Sequence, residues 1–435
     1  MTPAARIAAA IELLAAVEAE PRKPADAIAH DFFRARRFIG GGDRRAVSDL
    51  AWGVVRQRLR LGWWLARAGA RPSPRLLLAA QLMLAEGQGL SALRRAFPGG
   101  QYAAAPLSPE EEALLAPLAG QPLIHPEMPE GVRLNLPDWA LPGLRARFGE
   151  ALAGEAAAME KPAPLDLRAN LLKTTREEAL AALAAEGIEA KPTPFSPWGL
   201  RLPGRRPITA STAYRQGLVE VQDEGSQLVA LLTDAGPGMR VADYCAGAAG
   251  KTLALAASMG NRGRITACDV SAPRLEGAAR RLRRAGVDNA ETHLLQPGDR
   301  WAKRRAGQFD RVLVDAPCTG SGTWRRNPDG RFRTGEQDLR ELSARQGDIL
   351  ATAAELVRPG GRLVYATCSL LPEEDETQVE ALLARRPDFV PLPLAEAWAA
   401  AGMAGPPPHE GPFLVMSPAR HGTDGFFAAM LQRRG

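Results

Sequence analysis

The chain has 435 residues, of which 46% are hydrophobic, and this length favours two or three domains over one. The net charge of +6 is too small to identify a nucleic-acid partner by itself. The four cysteines lack CxxC and Cys/His ligand spacings, which argues against a metal site and a disulfide framework. No stretch approaches ~20 uncharged apolar residues, so we expect a soluble, cytoplasmic protein. We also expect a monomer.

The positive charge is unevenly distributed along the chain. Between Arg22 and Arg75 there are 13 Lys and Arg residues against 4 Asp and Glu residues, with Phe38, Trp63 and Trp64 among them. Such a basic patch could contact phosphate groups. An arginine-rich helical domain with solvated faces would show the same pattern.

Residues 1–140 are predicted to form an all-helical domain. Apolar residues recur near helical spacing between Ala46 and Arg67. Ser108, followed by Pro109 and three glutamates, has the composition of a helix start. The proline-rich span from Pro122 to Pro142 then indicates a domain boundary.

Residues 141–235 are predicted to form a small α+β domain that binds RNA or links its neighbours. The pattern indicates a helix ending near Lys161, a strand over Leu165–Leu171, a helix over Arg176–Glu186 and short strands near Leu200 and Val219.

Residues 236–435 alternate apolar strands with helical stretches, which is typical of an α/β doubly wound parallel sheet. The expected strands lie around Val241–Ala242, Arg264–Ala267, Arg311–Val314 and Arg362–Ala366. Folds of this kind place their ligands at the carboxyl ends of the strands.

Two cysteines follow two of these strands. Cys318 comes after Arg311–Val314, and Cys368 comes after Arg362–Ala366. Two thiols at one sheet edge, with Asp315 nearby, fit an enzyme that attacks a pyrimidine ring covalently while a carboxyl group holds the ring. The residues alone do not decide which thiol is the nucleophile.

A turn of small residues, Asp243–Thr252, follows the first strand. Small residues let backbone amides approach a ligand, and the start of the next helix presents unpaired N–H groups. Asp269, 19 residues after Gly250, ends the second strand and could accept the hydroxyls of a ribose. Asp299 follows the next strand, where it could meet an exocyclic amine.

The turn lacks the G-x-x-x-x-G-K-S/T spacing of a phosphate cradle, which favours S-adenosylmethionine over NAD or ATP, although a packing turn is the alternative. Lys251 could support the cofactor carboxylate or Asp315, or it could face water. The residues expected to bind S-adenosyl-L-methionine are Cys245, Ala246, Gly247, Ala248, Ala249, Gly250, Lys251, Asp269, Arg274, Asp299 and Asp315.

Three motifs in order carry a family resemblance. Asp243–Thr252 is similar to D-x-C-A-A-P-G-G-K-T, Asp315–Cys318 is D-A-P-C, and Ala366–Ser369 is A-T-C-S. Together they resemble the bacterial RNA (cytosine-5) methyltransferases of the Sun/Fmu type, the RsmB/NOP family. Shorter matches lie at Arg325–Asp329, Glu373–Glu376 and Asp424–Phe427. The resemblance implies a class I methyltransferase fold that methylates cytosine in RNA.

One departure from the family falls in the cofactor turn, where Ala248 and Ala249 replace Pro and Gly. If position 249 requires a positive φ, alanine costs roughly 1 kcal/mol or more there. We therefore expect the cofactor site in its usual place, with reduced affinity.

The N-terminal half is similar to the NusB-like RNA-binding domain found on the 16S ribosomal RNA branch of the family. The similarity lies in Asp43–Ala46, Trp52–Arg56 and Leu61–Leu65. It implies an RNA partner and favours ribosomal over transfer RNA. It also implies that the basic patch binds RNA. The target nucleotide is not encoded in any of these patterns.

The resemblance also assigns roles. It implies that Cys368 is the nucleophile, that Cys318 assists release of the methylated product, and that Asp315 contacts N3 of the base. Reaching the ring requires a base outside its stack, so single-stranded or flipped RNA is expected. Arg325, Arg326, Arg331 and Arg333, which follow the Pro-Cys turn, are expected to contact phosphates.

Two other functions fit parts of the sequence. An amino-group methyltransferase needs an Asn/Asp-Pro-Pro-Tyr/Phe turn, whereas Asp315–Cys318 ends in a thiol. A non-catalytic ribosome-assembly factor with a vestigial cofactor pocket would explain Ala248–Ala249, but the intact thiols argue against it. Methyl transfer from labelled cofactor would distinguish these possibilities.

Overall fold

The structure, a computed structural model, describes residues 1–204 and 206–435. These residues divide into two compact units. The first comprises Met1–Glu160 and Trp324–Glu336, and the second comprises Lys161–Thr323 and Gln337–Gly435. The proline-rich span that predicted a boundary lies inside the first unit. Helices are numbered α1–α21 and strands β1–β12 along the chain.

The first unit is helical, as predicted. Its core contains fully buried leucines such as Leu13, Leu61 and Leu78. No helix among the described residues is long and apolar enough to cross a bilayer. The helices of this unit are α1 (Pro3–Ala19), α2 (Ala25–Ala35), α3 (Gly41–Arg56), α4 (Arg58–Arg67), α5 (Pro74–Leu84), α6 (Leu90–Ala96), α7 (Pro109–Leu115), α8 (Glu130–Leu134), α9 (Leu141–Phe148), α10 (Leu152–Glu160) and α17 (Gly330–Arg333).

Local signals explain where these helices begin and end. Ser108 caps α7 in a capping box, in which its hydroxyl accepts from the Glu111 amide and the Glu111 carboxylate accepts from the Ser108 amide. The periodic stretch between Ala46 and Arg67 is divided between two helices, because the backbone leaves the helical conformation at Gln57.

The segment Trp324–Glu336 belongs to the helical unit, although its chain neighbours on both sides belong to the other unit. Trp324 packs edge-on against Trp139, with ring centroids 6.0 Å apart. The buried Arg331 guanidinium donates to the carbonyl of Asn135 at 2.6 Å. Burial lowers the pKa of Arg331 to about 10, so the group stays charged at neutral pH. The segment is therefore part of the helical core.

Part of the basic patch is used inside the helical unit. Arg60, 5% exposed, forms an ion pair with Glu160 at 2.7 Å. Arg56 donates to the carbonyl oxygens of Glu160 and Arg325. These two cations stabilise the fold, so fewer cations of the patch are left to contact phosphate groups. Exposed cations of the patch include Arg37, Arg45 and Arg71.

The second unit begins with a small antiparallel sheet of strand order β2-β3-β1-β4, and Thr175 caps α11 with a second capping box. These elements follow the predicted α+β pattern. They are β1 (Leu165–Ala169), α11 (Arg176–Ala185), β2 (Lys191–Pro192), β3 (Gly199–Leu202), α12 (Thr212–Arg215) and β4 (Val219–Val221), followed by α13 (Glu224–Leu232).

An eight-stranded sheet follows, with the order β10-β12-β9-β8-β5-β6-β7 and with β11 paired to β12. Pairs among β5–β9 are parallel, and pairs that involve β12 are antiparallel. Its elements are β5 (Arg240–Asp243), α14 (Gly250–Met259), β6 (Arg264–Asp269), α15 (Ala272–Ala285), β7 (Ala290–Leu294), α16 (Trp301–Arg304), β8 (Phe309–Asp315), α18 (Glu336–Leu356), β9 (Val357–Thr367), α19 (Glu376–Arg385), β10 (Phe389–Leu392), α20 (Leu394–Ala400), β11 (Leu414–Met416), α21 (Pro418–His421) and β12 (Phe426–Arg433).

Both faces of this sheet are covered. Along β8, Val312 and Val314 pack into one apolar core, and Leu313 between them packs into another. Strands buried on both faces appear in the sequence as continuous apolar runs. The predicted doubly wound α/β fold is confirmed.

One carboxyl group is fully buried at the end of β5. The Thr252 hydroxyl donates to Asp243 Oδ2 at 2.7 Å, and Asp243 Oδ1 has no hydrogen-bond partner among the described residues. Burial raises the pKa of Asp243 to about 6, because the charged form loses its hydration. The folded state therefore binds a proton here more tightly than the unfolded chain does.

The core position of Trp324 predicts a large effect of its removal. Trp324→Ala should destabilise the helical unit by ~3–5 kcal/mol, since the ring is 1% exposed and leaves a cavity against Trp139. Hydrogen exchange combined with urea unfolding measures this. Phe38→Ala is the control, because Phe38 is 77% exposed and its loss should cost less than ~0.5 kcal/mol. Faster exchange confined to residues 161–323 would contradict the assignment.

Asp243 should make the stability of the second unit depend on pH. Because its folded pKa lies above its unfolded value of ~3.9, its contribution is fully present below about pH 4 and is lost as the pH rises through about 6. Asp243→Asn should therefore gain on the order of 2 kcal/mol over wild type between about pH 4 and pH 7. Chemical unfolding across pH measures the difference. Asp288→Asn, at an exposed position, is the control for the substitution itself; a stability difference between Asp243→Asn and wild type that does not change with pH would show the prediction to be wrong.

Candidate active site

The carboxyl ends of the parallel strands carry the candidate site. β5, β6 and β8 end at Asp243, Asp269 and Asp315, and Cys368 follows the last residue of β9. Since β5, β6, β8 and β9 are paired in parallel as β6-β5-β8-β9, these residues lie along one edge of the sheet.

The two thiols predicted to act together are in contact. Cys318 Sγ lies 3.4 Å from Cys368 Sγ, and both residues are partly buried. The hydrogen bond with Cys368, together with burial, raises the pKa of the Cys318 thiol well above its usual value. The Gly322 amide donates to the carbonyl of Cys368 at 3.0 Å, which joins the two cysteine loops through the backbone.

Gly322 is required in that loop by close packing. A Cβ atom built on Gly322 would lie 2.3 Å from the carbonyl oxygen of Gly425, so any larger residue would push the two segments apart. The Gly425 amide donates to the Gly322 carbonyl at 2.8 Å. The resemblance at Asp424–Phe427 thus marks a segment that supports the loop after Cys318.

Lys251 pairs with Asp315. Its Nζ lies 2.6 Å from Asp315 Oδ2, and the lysine is 7% exposed although it stands in the first turn of α14. Of the alternatives that the sequence left open, support of Asp315 is the one observed. The ammonium group also lies 5.5 Å from the centre of the Phe426 ring.

The cofactor turn adopts a left-handed conformation where the family has glycine. Ala249 has φ 63° and ψ 28°, so alanine occupies the strained conformation that the sequence comparison suggested. Asp269 organises the turn, because its Oδ2 accepts from the Gly247 amide at 2.8 Å and its Oδ1 accepts from the Ser271 amide at 2.8 Å.

The other predicted cofactor residues include Asp299, Arg274 and Cys245. Asp299 accepts from the Trp301 amide at 2.8 Å and contacts His293 Nε2 at 2.7 Å, and this His293 contact lowers the pKa of the carboxyl group. Arg274 is exposed near the start of α15. Cys245 is partly buried.

The arginines predicted to contact phosphates lie in the helical unit. Arg325 is 5% exposed and Arg331 is 1% exposed, whereas Arg326 and Arg333 are partly buried. Burial of Arg325 and Arg331 favours a packing role over a phosphate contact, and Arg326 and Arg333 keep some exposure. Their contact with RNA stays a prediction.

The family match at Glu373–Glu376 carries no predicted role. In the structure Glu374 is 0% exposed and accepts hydrogen bonds from the amide and the hydroxyl of Thr319, next to Cys318. Asp375, also 0% exposed, accepts from the Thr367 hydroxyl next to Cys368. The family match was the one signal that could have pointed to these residues.

The edge fits S-adenosylmethionine chemically. Carboxylates at Asp269, Asp299 and Asp315 suit the hydroxyls, amines and positive charge of such a ligand. A Cβ atom on Gly247 would meet nothing within 4 Å, so the turn has open space beside it. Among the described residues, no cluster of three or more His, Cys, Asp or Glu could hold a metal ion.

Comparisons with known proteins agree with this geometry. Residues 230–432 match the family model of the 16S rRNA methyltransferase RsmB/F, and residues 136–209 match the RsmF/B-like ferredoxin-like domain. The chain is 32% identical to a probable ribosomal RNA small subunit methyltransferase B of Synechocystis sp., over 90% of this chain and 91% of that protein. It is 30% identical to ribosomal RNA small subunit methyltransferase B of Klebsiella pneumoniae, over 91% of each chain.

A solved structure supports the same assignment. A methyltransferase homologue from Pyrococcus horikoshii is 32% identical, with a TM-score of 0.60 over 70% of this chain and 97% of that one. The fold, the edge of carboxylates and thiols, and similarity along most of the sequence lead to one conclusion. The chain belongs to the RsmB/F family of S-adenosylmethionine-dependent ribosomal RNA methyltransferases.

Proposed function

We propose that this protein methylates C5 of a cytosine in 16S ribosomal RNA through a covalent cysteine–C6 adduct. The observation that carries the proposal is the 3.4 Å contact between Cys318 and Cys368, on the sheet edge that also holds Asp315. C5 of cytosine is a weak nucleophile, and addition of a thiolate at C6 makes the ring electron-rich at C5. Two thiols in contact suit a reaction in which one sulfur adds and a second takes part in its departure.

Cys368 is the nucleophile in this proposal. This assignment takes Cys318 as the protonated partner of the 3.4 Å contact, in line with the raised pKa of its thiol, and Cys368 as the sulfur that attacks. The new bond joins Cys368 Sγ to C6. After methyl transfer, the C5 proton passes to the sulfur of Cys318, which has given its own proton to water, and the C6–S bond breaks as the ring recovers its double bond and Cys368 leaves as a thiolate.

Asp315 holds the base during these steps. Its carboxyl group contacts N3 and stabilises the charge that develops on the ring. The ion pair with Lys251 at 2.6 Å fixes one carboxylate oxygen, which prepares the group before the RNA arrives. Bound S-adenosylmethionine supplies the electrophilic methyl group.

The choice of 16S RNA rests on the relatives, whose names describe a methyltransferase of the small ribosomal subunit. Bisulfite sequencing of RNA from a strain that lacks this gene tests it. One cytosine of 16S RNA should lose its methyl group and regain it with the wild-type gene. Loss of methylation confined to transfer RNA would show that transfer RNA, and not 16S RNA, is the substrate.

Replacement of each thiol should impair a different step of the reaction. Cys368→Ala cannot add to C6, so it should neither methylate RNA nor form an adduct that survives SDS. Cys318→Ala keeps the nucleophile but should release product slowly, so a protein–RNA band should accumulate in the presence of cofactor. Denaturing gels with labelled RNA measure both outcomes.

The control for this pair is Cys268→Ala, because Cys268 is buried in the core and is not part of the site. It should resemble wild type in both measurements. If Cys368→Ala accumulates the band and Cys318→Ala does not, the two roles are reversed. If neither variant affects methylation, the covalent mechanism is wrong.

Asp269 should contribute to cofactor affinity. Asp269→Ala removes a carboxylate that holds the turn at Gly247 and could accept ribose hydroxyls, so binding should weaken by ~1–3 kcal/mol. Calorimetric titration with S-adenosylmethionine measures this, with the exposed Asp288→Ala as the control. Unchanged affinity in Asp269→Ala would show that Asp269 does not contribute to cofactor binding.

A further inference from the structure

A buried carboxylate supports the loop that carries Cys318, directly on one side and through a glutamine on the other. Glu374 Oε1 accepts from the Thr319 amide at 2.8 Å, and its Oε2 accepts from the Thr319 hydroxyl at 2.5 Å. Gln346 Nε2 donates to Glu374 Oε1 at 3.0 Å and to the carbonyl of Pro317 at 2.9 Å. The residues before and after Cys318 are therefore tied, directly or through Gln346, to one carboxyl group.

The loop of Cys368 has a separate support. The Thr367 hydroxyl donates to Asp375 Oδ1 at 2.5 Å and accepts from the Ser369 amide at 3.1 Å. Loss of the Glu374 carboxylate would therefore leave the Cys368 side with its own support in Asp375.

A charged group at this position is costly for the fold. Glu374 is 0% exposed, and burial raises the pKa of its carboxyl group in spite of the hydrogen bonds it accepts. The Tyr365 hydroxyl donates to the Glu374 carbonyl at 2.6 Å, which anchors the backbone as well. An apolar side chain could fill the same space, but it could not accept from Thr319 and Gln346 together.

We propose that Glu374 is a positioning residue that holds Cys318 at its distance from Cys368 for the release step. The inference rests on the proposed covalent mechanism. Most of the contacts of the Glu374 carboxylate lead to the Cys318 side. Its removal should therefore slow product release more than adduct formation.

Three variants test this. Glu374→Ala leaves the Thr319 amide, the Thr319 hydroxyl and Gln346 without their acceptor. Glu374→Gln keeps an oxygen that can accept from the Thr319 amide and Gln346, and its new amide group can donate to the Thr319 hydroxyl. Glu373→Ala is the matched control, because Glu373 is the exposed neighbour of the same acid pair.

Single-turnover reactions with RNA and S-adenosylmethionine separate adduct formation from release. In Glu374→Ala, the SDS-resistant band should form at close to the wild-type rate and decay ~10- to 100-fold more slowly, since displacement of a reacting group by about 1 Å can cost that much. Glu374→Gln and Glu373→Ala should resemble wild type. Unchanged decay in Glu374→Ala, or equal loss of formation and decay as from misfolding, would overturn the proposal.

Cys318→Ala distinguishes failure of this inference from failure of the proposed function. If Cys318→Ala accumulates no band, the release mechanism is wrong. The position of Cys318 is then tested without RNA, in variants that keep both thiols. Hydrogen peroxide oxidises two neighbouring thiols to a disulfide and is reduced to water. Mass spectrometry should show slower Cys318–Cys368 disulfide formation in Glu374→Ala than in Glu373→Ala. Equal rates would overturn the inference.

Discussion

The parallel pairing of β8 with β9 determines the geometry of the site. Asp315 is paired with Ala366, and Val314 is paired with Tyr365. A slip of one residue would displace one strand by ~3.3 Å, which is about as large as the sulfur–sulfur contact itself. It would also move the side chains of the displaced strand to the opposite face of the sheet, so the apolar cores packed on both faces resist it. The packing of the sheet thereby sets the distance between two reactive groups that are far apart in sequence.

The cofactor turn shows how a departure from the family can be tolerated. At Ala249 the left-handed backbone costs alanine ~1–2 kcal/mol relative to a right-handed one. The residue is fully buried in a cluster with Leu253, Ala278 and Leu282, and burial of one methyl group contributes ~0.8 kcal/mol. Arg281 also donates to the Ala248 carbonyl at 2.7 Å. Cost and gain are similar in size, so the turn can keep its shape without glycine.

The strands and the thiol pair could be predicted because their signals are local. Runs such as Val312–Val314 are apolar on both faces, and the topology of a doubly wound sheet then brings Cys318 and Cys368 to one edge. Burial of Arg325 could not be predicted, because it depends on helices that are distant in sequence. The contacts of Glu374 are equally non-local, since Thr319 lies 55 residues away. A family motif indicates that such a residue matters without indicating what it touches.

The location of Trp324–Glu336 in the helical unit affects how the chain folds during synthesis. Residues 1–160 leave the ribosome well before Trp324 and Arg331 are made, yet Trp139 and the Asn135 carbonyl depend on these late residues as partners. At ~5–20 residues per second, translation from residue 160 to residue 336 takes roughly 10–35 s. During that interval the helical unit has an incomplete core with exposed aromatic surface. The first part of the protein to be synthesised is therefore not the first to finish folding.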